Sequence, residues 1–190
     1  MMRMGLVSDT HGYFDPLLAE IFSGAAAILH AGDAGSQHVL DQLARIAPTH
    51  AVKGNVDSHL PRLPLSLRFE AVGLQIEMLH ILPIPQTQLQ VWAEGRTGSK
   101  VEPVQEGRFL SQFSSSTRIV IFGHTHTPGL YLLRERLFIN PGSAGKKRFA
   151  LPRCCAVMEV LPEKVEVKVW SLEDYNECMR KSVRIKGPLS

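Results

Sequence analysis

Seven side chains carry the chemistry this sequence could do: Asp9, His11, Asp33, Asn55, His80, His124 and His126. Asp9 and His11 flank Thr10, and His124 and His126 flank Thr125, so each pair sits two residues apart on a short turn. A pair spaced that way on a tight loop can aim two donors at one point. Mixed carboxylate and imidazole donors suit Mn, Fe, Zn or Ni better than Ca or Mg alone. The donors are too many for one tetrahedral ion and about enough for two. Two ions about 3.5–4 Å apart need a bridging carboxylate, and phosphate-ester hydrolysis is their usual chemistry.

The elements that must position these groups are legible in the apolar pattern. Residues 4–8 read as a short buried strand that stops at Ser8-Asp9-Thr10-His11-Gly12. Residues 14–23 carry Phe14, Leu17, Leu18, Ile21 and Phe22 at helical spacing. Residues 25–30 form a second strand ending in Gly32-Asp33, and residues 36–46 a second helix. A third strand near 49–53 ends in Gly54-Asn55-Val56-Asp57. Strand and helix alternate as in an α/β fold, whose sites lie beyond the carboxyl ends of parallel strands. Residues 65–70 and 74–79 predict an antiparallel hairpin turned at Gly73, ending at His80. Ile119 to Phe122 reads as a strand buried on both faces, ended by Gly123.

Residues 81–103 are hard to read. Pro83, Pro85, Gly95, Gly98 and Pro103 argue against a long regular element, and the stretch is read as a lid or an oligomer contact. A helix is expected over 104–115, a hairpin over 130–133 and 137–139, and two strands over 154–161 and 164–170. The chain is read as one domain, residues 1–180, with a frayed tail at 181–190. Its 190 residues suffice for a sizeable core, and 44% hydrophobic with 21% charged residues is ordinary for a globular protein. A net charge of +3 is too small to argue for nucleic acid. Three cysteines make no disulfide framework, the N-terminus lacks the shape of a signal peptide, and no apolar run is long enough to span a membrane. A cytoplasmic protein with no membrane partner is expected; self-association is left open.

Five motifs in order carry a family resemblance: Asp9-Thr10-His11, Gly32-Asp33, Gly54-Asn55-Val56-Asp57, His80 and Gly123-His124-Thr125-His126. They resemble the motifs of the calcineurin-like metallophosphoesterases over about residues 4–148. The length, the first motif at the N-terminus and Asn140-Pro141-Gly142-Ser143 resemble the small bacterial and archaeal phosphodiesterase branch. The resemblance implies a four-layer α/β/β/α sandwich of two mixed β-sheets flanked by helices, with a dinuclear centre at one edge. It implies that Asp9, His11 and His126 hold one divalent ion, Mn foremost, that Asn55, His80 and His124 hold a second, and that Asp33 bridges. Asp33, Asn55 and His124 would serve catalysis, in which a hydroxide held between the ions attacks a phosphate ester, preferably a diester. Two positions depart from the family. Val56 stands where many members have a His that protonates the leaving group, so esters with good leaving groups should suffer least. His80 is followed by Ile81-Leu82-Pro83 where the family has Gly.

Plainer readings compete at several positions. Asp9 and Asp33 could cap helices, and Asn55 could be a turn residue before Asp57, itself read as a structural cap. His30 reads as a support to the site or as a core histidine; His38, His50 and His59 read as surface. Cys154 and Cys155 read as strand packing, and Lys146-Lys147-Arg148 as a solvated basic turn. Two rival functions stand beside the diesterase: a protein-binding scaffold on the same fold, as for the retromer subunit, and a phosphomonoesterase acting on a small metabolite.

Overall fold

Short apolar runs become strands covered on both faces. The computed structural model describes residues 1–96, 102–147 and 150–184, with Glu102 described by its backbone alone. Strands β1 (Met2–Val7), β2 (Ala27–His30) and β3 (Thr49–Ala51) are parallel, joined through helices α1 (Leu17–Ile21) and α2 (Gln37–Ala44). They share a six-stranded sheet with β9 (Cys154–Val160), β10 (Lys164–Ser171) and β11 (Glu177–Arg184), in the order β11-β10-β9-β1-β2-β3. The second sheet has five strands: β4 (Ser66–Ala71), β5 (Leu74–Leu79), β6 (Thr117–Ile121), β7 (Gly129–Leu133) and β8 (Arg136–Asn140), in the order β4-β5-β6-β8-β7. Its three central strands, β5, β6 and β8, are parallel, and its two edge strands are antiparallel to their neighbours.

Side-chain alternation sorts the core into layers. Ile119 and Ile121 of β6 pack between the sheets with Met4, Leu6, Leu29, Ile76 and Met78. Val120 and the following Phe122 face the other way, onto Leu89 and Trp92 of helix α3 (Gln86–Ala93) and Phe109 of helix α4 (Glu102–Leu110). Leu18 and Ile21 of α1 and Val39 and Leu43 of α2 cover the outer face of the first sheet. The result is the expected α/β/β/α sandwich of two mixed sheets. The run Ile119 to Phe122 is buried throughout because each of its faces meets its own layer.

Three sequence expectations are corrected. The stretch 81–103 holds a regular helix after all: Pro85 stands at the N-cap of α3 and Gly95 just past its end. The prolines and glycines punctuate the helix instead of preventing it, and Leu89 and Trp92 give it an apolar face. Residues 97–101 of that stretch lie outside the described residues. The helices expected over 14–23 and 104–115 are shorter, at Leu17–Ile21 and Glu102–Leu110. Residues 181–184 do not fray: they pair with 164–167 as the end of β11. That strand lies at the sheet edge with charged residues along it, so it lacks the apolar alternation that marks a strand. Residues 185–190 lie outside the described residues. No described helix is long and apolar enough to cross a membrane.

Candidate metal centre

Each of the seven candidate residues sits just past the carboxyl end of a strand. Asp9 and His11 follow β1, Asp33 follows β2, and Asn55 follows β3; His80 follows β5, and His124 and His126 follow β6. The two sheets therefore contribute to one shared edge. Backbone hydrogen bonds lace the loops together: Asp9 N–H to the Gly32 carbonyl, His11 N–H to that of Asp33, and Gly123 N–H to that of His80, at 2.9–3.0 Å. Asp57 ties two loops further, its carboxylate accepting from the N–H groups of Ala34, Gly35 and Gly54 at 2.8–3.1 Å. It is structural, as expected, but it clamps loops and caps no helix.

The backbone is strained at the candidate ligands themselves. Eight described non-glycine residues have a positive φ, and five of them are Asp9, His11, Asp33, His124 and His126, at 47–71°. Such conformations cost about 1–3 kcal/mol each and persist where the surroundings over-determine them. A helix-cap role for Asp9 or Asp33 would explain none of this, and neither residue begins a helix. Close packing adds to the constraint. A Cβ on Gly32, itself at φ +91°, would lie 2.6 Å from Nδ1 of His80.

Both carboxylates are held alike. Asp9 Oδ2 accepts from the His124 N–H at 3.0 Å, and Asp33 Oδ1 accepts from the Val56 N–H at 2.9 Å. The second oxygen of each is turned inward. Asp9 Oδ1, fully buried, has no hydrogen-bond partner among the described residues and lies 3.3 Å from His126 Nε2. Asp33 Oδ2 lies between two imidazoles, 3.4 Å from His80 Nε2 and 3.9 Å from His11 Nε2. The remaining donors fall into two poles. In one, His11 Nε2 and His126 Nε2 approach to 3.1 Å. In the other, Asn55 Oδ1 lies 3.0 Å from His80 Nε2 and 3.2 Å from His124 Nδ1. Ligand atoms of Asp9, His11 and His126 lie within 4.8 Å of one another, and so do those of Asp9, Asp33 and His80.

The donor set fits a cation. His80 Nδ1 contacts the Ala31 carbonyl at 2.8 Å; donating there turns the Nε2 lone pair toward Asn55 Oδ1 and Asp33 Oδ2. Lone pairs crowded this way are relieved by a metal ion or by a proton. The electrostatics of these side chains favour a proton in that role. Burial works against the charged form of His80, yet the Asp33 hydrogen bond, the Ala31 carbonyl and the charges of Asp9 and Asp33 raise its pKa above 6.5. Burial likewise opposes the Asp33 carboxylate, but His80, the Val56 N–H and His11 outweigh it and hold its pKa at about 2.

Several residues support the donors without being candidate ligands. Thr10 Oγ1 meets the buried His30 Nε2 at 2.9 Å and donates to the Ala34 carbonyl at 3.1 Å. Burial keeps His30 neutral, with its pKa lowered to about 4 against the pull of the nearby carboxylates. Gln86, at the start of α3, accepts from Thr125 Oγ1 at 2.5 Å and from Asn140 Nδ2 at 2.9 Å. It donates to the Thr127 carbonyl and the Tyr131 hydroxyl at 2.9–3.0 Å. Ser143 Oγ donates to the Asp9 carbonyl at 2.9 Å, so the Asn140-Pro141-Gly142-Ser143 loop buttresses the first motif. His38, His50 and His59 are exposed, and Cys154 and Cys155 are buried. Lys147 is exposed and pairs with Glu173 at 2.8 Å; Arg148 lies outside the described residues. The polar contacts of Gln86 were hidden because glutamine in a proline-rich stretch has no signature of its own.

Comparison with known proteins agrees with this geometry. A model of the calcineurin-like phosphoesterase superfamily domain matches residues 2–162. A probable metallophosphoesterase from Methanothermobacter thermautotrophicus is 29% identical over 174 residues, covering 88% of this chain and 91% of the relative. The Vacuolar Protein Sorting 29 structure from Cryptosporidium parvum is similar in fold, with a TM-score of 0.72 and 20% identity over 97% of this chain and 98% of that one. Yfce, a phosphoesterase from E. coli, matches with a TM-score of 0.63 and 19% identity over 97% and 100% of the two chains. Phosphoesterases and sorting proteins thus stand side by side among the similar chains.

Proposed function

The chain belongs to the calcineurin-like phosphoesterase superfamily, and on that footing we propose that it is a metal-dependent phosphoesterase that prefers diesters, akin to the small phosphodiesterase branch. In this reading Asp9, His11 and His126 hold one ion, Asn55, His80 and His124 hold a second, and Asp33 joins them. Two divalent ions bound there would polarise a phosphoryl oxygen and acidify a water. The observation that carries the reading is the inward-facing pair of carboxylate oxygens, Asp9 Oδ1 and Asp33 Oδ2, among four histidines. The chain's own contribution is to set those donors in advance. Backbone N–H groups fix the carboxylates, and the Ala31 carbonyl fixes His80. Val56 is 40% exposed beside the site and carries no proton, so the chain offers no acid there for the leaving group. Mn²⁺ is the metal proposed, and Fe, Zn and Ni suit the same donors.

The test is hydrolysis of bis-p-nitrophenyl phosphate and p-nitrophenyl phosphate by Mn²⁺-loaded protein. Turnover that chelation removes, faster on the diester, is expected. Folded, metal-loaded protein that turns over no member of a diester panel would overturn the reading.

The fold likeness favours a second reading, a protein-binding scaffold with little catalysis, because sorting proteins stand high among the similar structures. The full donor set weighs the other way. Stoichiometric capture of a partner by a protein without metal-dependent turnover would decide for the scaffold.

A further inference from the structure

A cleft of about 380 Å³ opens against the metal centre. One wall is Ile81-Leu82-Pro83-Ile84-Pro85, the segment that departs from the family after His80, and the other runs from Phe122 to Thr125. We propose that this cleft is the subsite for the organic group of the substrate: it takes an aromatic or apolar ester substituent of a phosphate bound at the metal centre. The proposal rests on the phosphoesterase reading and names the substrate class of that site.

Three observations carry it. The first is continuity: His124, whose Nδ1 faces Asn55, also lines the cleft, so a group bound there adjoins the donors. The second is that the lining is mainly apolar and its amide and hydroxyl side chains are already engaged, leaving the His124 imidazole at the end next to the donors. Gln86 is the floor's polar residue, and its amide oxygen accepts two hydrogen bonds while its amide nitrogen donates two, which is its full capacity. Thr125 Oγ1 is engaged by Gln86, Asn140 and the Thr127 N–H. No carboxylate, lysine or arginine lines the cleft, so a sugar or a charged group would lose its water without replacement. The third is size and preorganisation. An apolar cavity of about 150 Å³ already holds a benzene, so an aryl group fits with room to spare. Pro83, Pro85 and the Gln86 contacts hold the walls in place before binding. Ile81 is left 49% exposed at the rim, an apolar side chain that a ligand would cover.

Phenylphosphonate and methylphosphonate separate the subsite from the metal centre, because they share the anionic head and differ only in the organic group. Calorimetric titration of the Mn²⁺-loaded protein should show phenylphosphonate binding about tenfold tighter, the equivalent of about 1.4 kcal/mol. Ile84→Ser should bring the ratio close to parity, with methylphosphonate as the internal reference. Ile81→Ser, at an exposed position that folding does not depend on, should narrow it in the same direction. Equal affinities in the unaltered protein, or a ratio that survives Ile81→Ser and Ile84→Ser, would overturn the subsite while the metal centre stands. Binding of neither phosphonate by metal-loaded protein would overturn the phosphoesterase reading and the subsite with it.

Discussion

Asp9-Thr10-His11 and His124-Thr125-His126 are built alike on different sheets, and their difference is instructive. Both follow a buried strand, and both place the first and third residues at positive φ, 54° and 47° in one and 71° and 58° in the other. In both, the central threonine turns its hydroxyl away from the donors and onto a buried polar side chain, His30 for Thr10 and Gln86 for Thr125. The environments diverge from there. Thr10 and Asp9 are fully buried, and the anchor His30 ends β2 in the core of its sheet. His124 and Thr125 are exposed, and the anchor Gln86 begins a helix at the edge of an open cleft. One half of the centre is sealed and the other faces the solvent. A sealed half suits rigid placement of its donors, and an open half suits entry of substrate.

The comparison can be broken at its joint. Asp33 reaches donors from both sheets, His11 and His80, so Asp33→Ala should lower Mn²⁺-dependent turnover of bis-p-nitrophenyl phosphate by more than about 100-fold, since even the outer partners of a metal cost about 10–100-fold. Retention of two tightly bound ions by that variant, measured by metal analysis after gel filtration, would show that the halves are independent.

The sealed half should show in acid. The folded pKa of His30 is about 4 against 6.5 for a free histidine. The unfolded chain therefore takes up the proton first, and the stability this group contributes is present above pH 6.5 and lost as pH falls toward 4. The gap corresponds to about 3 kcal/mol. His80 has the opposite sign: its raised pKa makes its contribution complete below pH 6.5 and loses it as pH rises through the folded value. Denaturant melts of chelated protein at pH 7 and pH 4.5 should show the acid loss, and His30→Leu should remove the part due to His30 while leaving the His80 component.

At the open half the anchor is weaker but still costly to remove. Gln86→Leu leaves Asn140 and Thr125 short of a partner and should destabilise by about 2 kcal/mol. Turnover should fall with it, and Gln86→Glu, which keeps the two acceptor contacts, should recover part of the loss. The smallest effect concerns the exposed Val56. Val56→His should raise the rate on diesters with alkyl leaving groups about tenfold, with little change for p-nitrophenolate, through restored proton donation. An equal gain on both ester types would point away from proton donation.

The site was far more legible in the sequence than its supports were. Donor residues at strand ends, four of them (His11, Asp33, Asn55 and His124) next to glycine, stand out because metal chemistry needs particular side chains and tight turns need glycine. The anchors do not stand out. Thr10, Thr125, Gln86 and His30 act through hydrogen bonds across long chain separations, and nothing local marks a residue whose partner is 20 or 39 positions away. Helix α3 was masked by the prolines before it and the glycine after it, and β11 by the charges that protect its edge.

What the sequence determined by itself was the alternation of strand and helix in its first third, the later hairpins and the seven candidate donors, because these follow from apolar periodicity and side-chain chemistry; the two-sheet layering came from the family resemblance. Only the tertiary structure decided which donors meet. It brought the strand ends of both sheets to one edge, held five candidate ligands at positive φ, and turned one oxygen of each carboxylate inward. Those outcomes depend on hydrogen bonds between distant loops, and no stretch of chain encodes them alone.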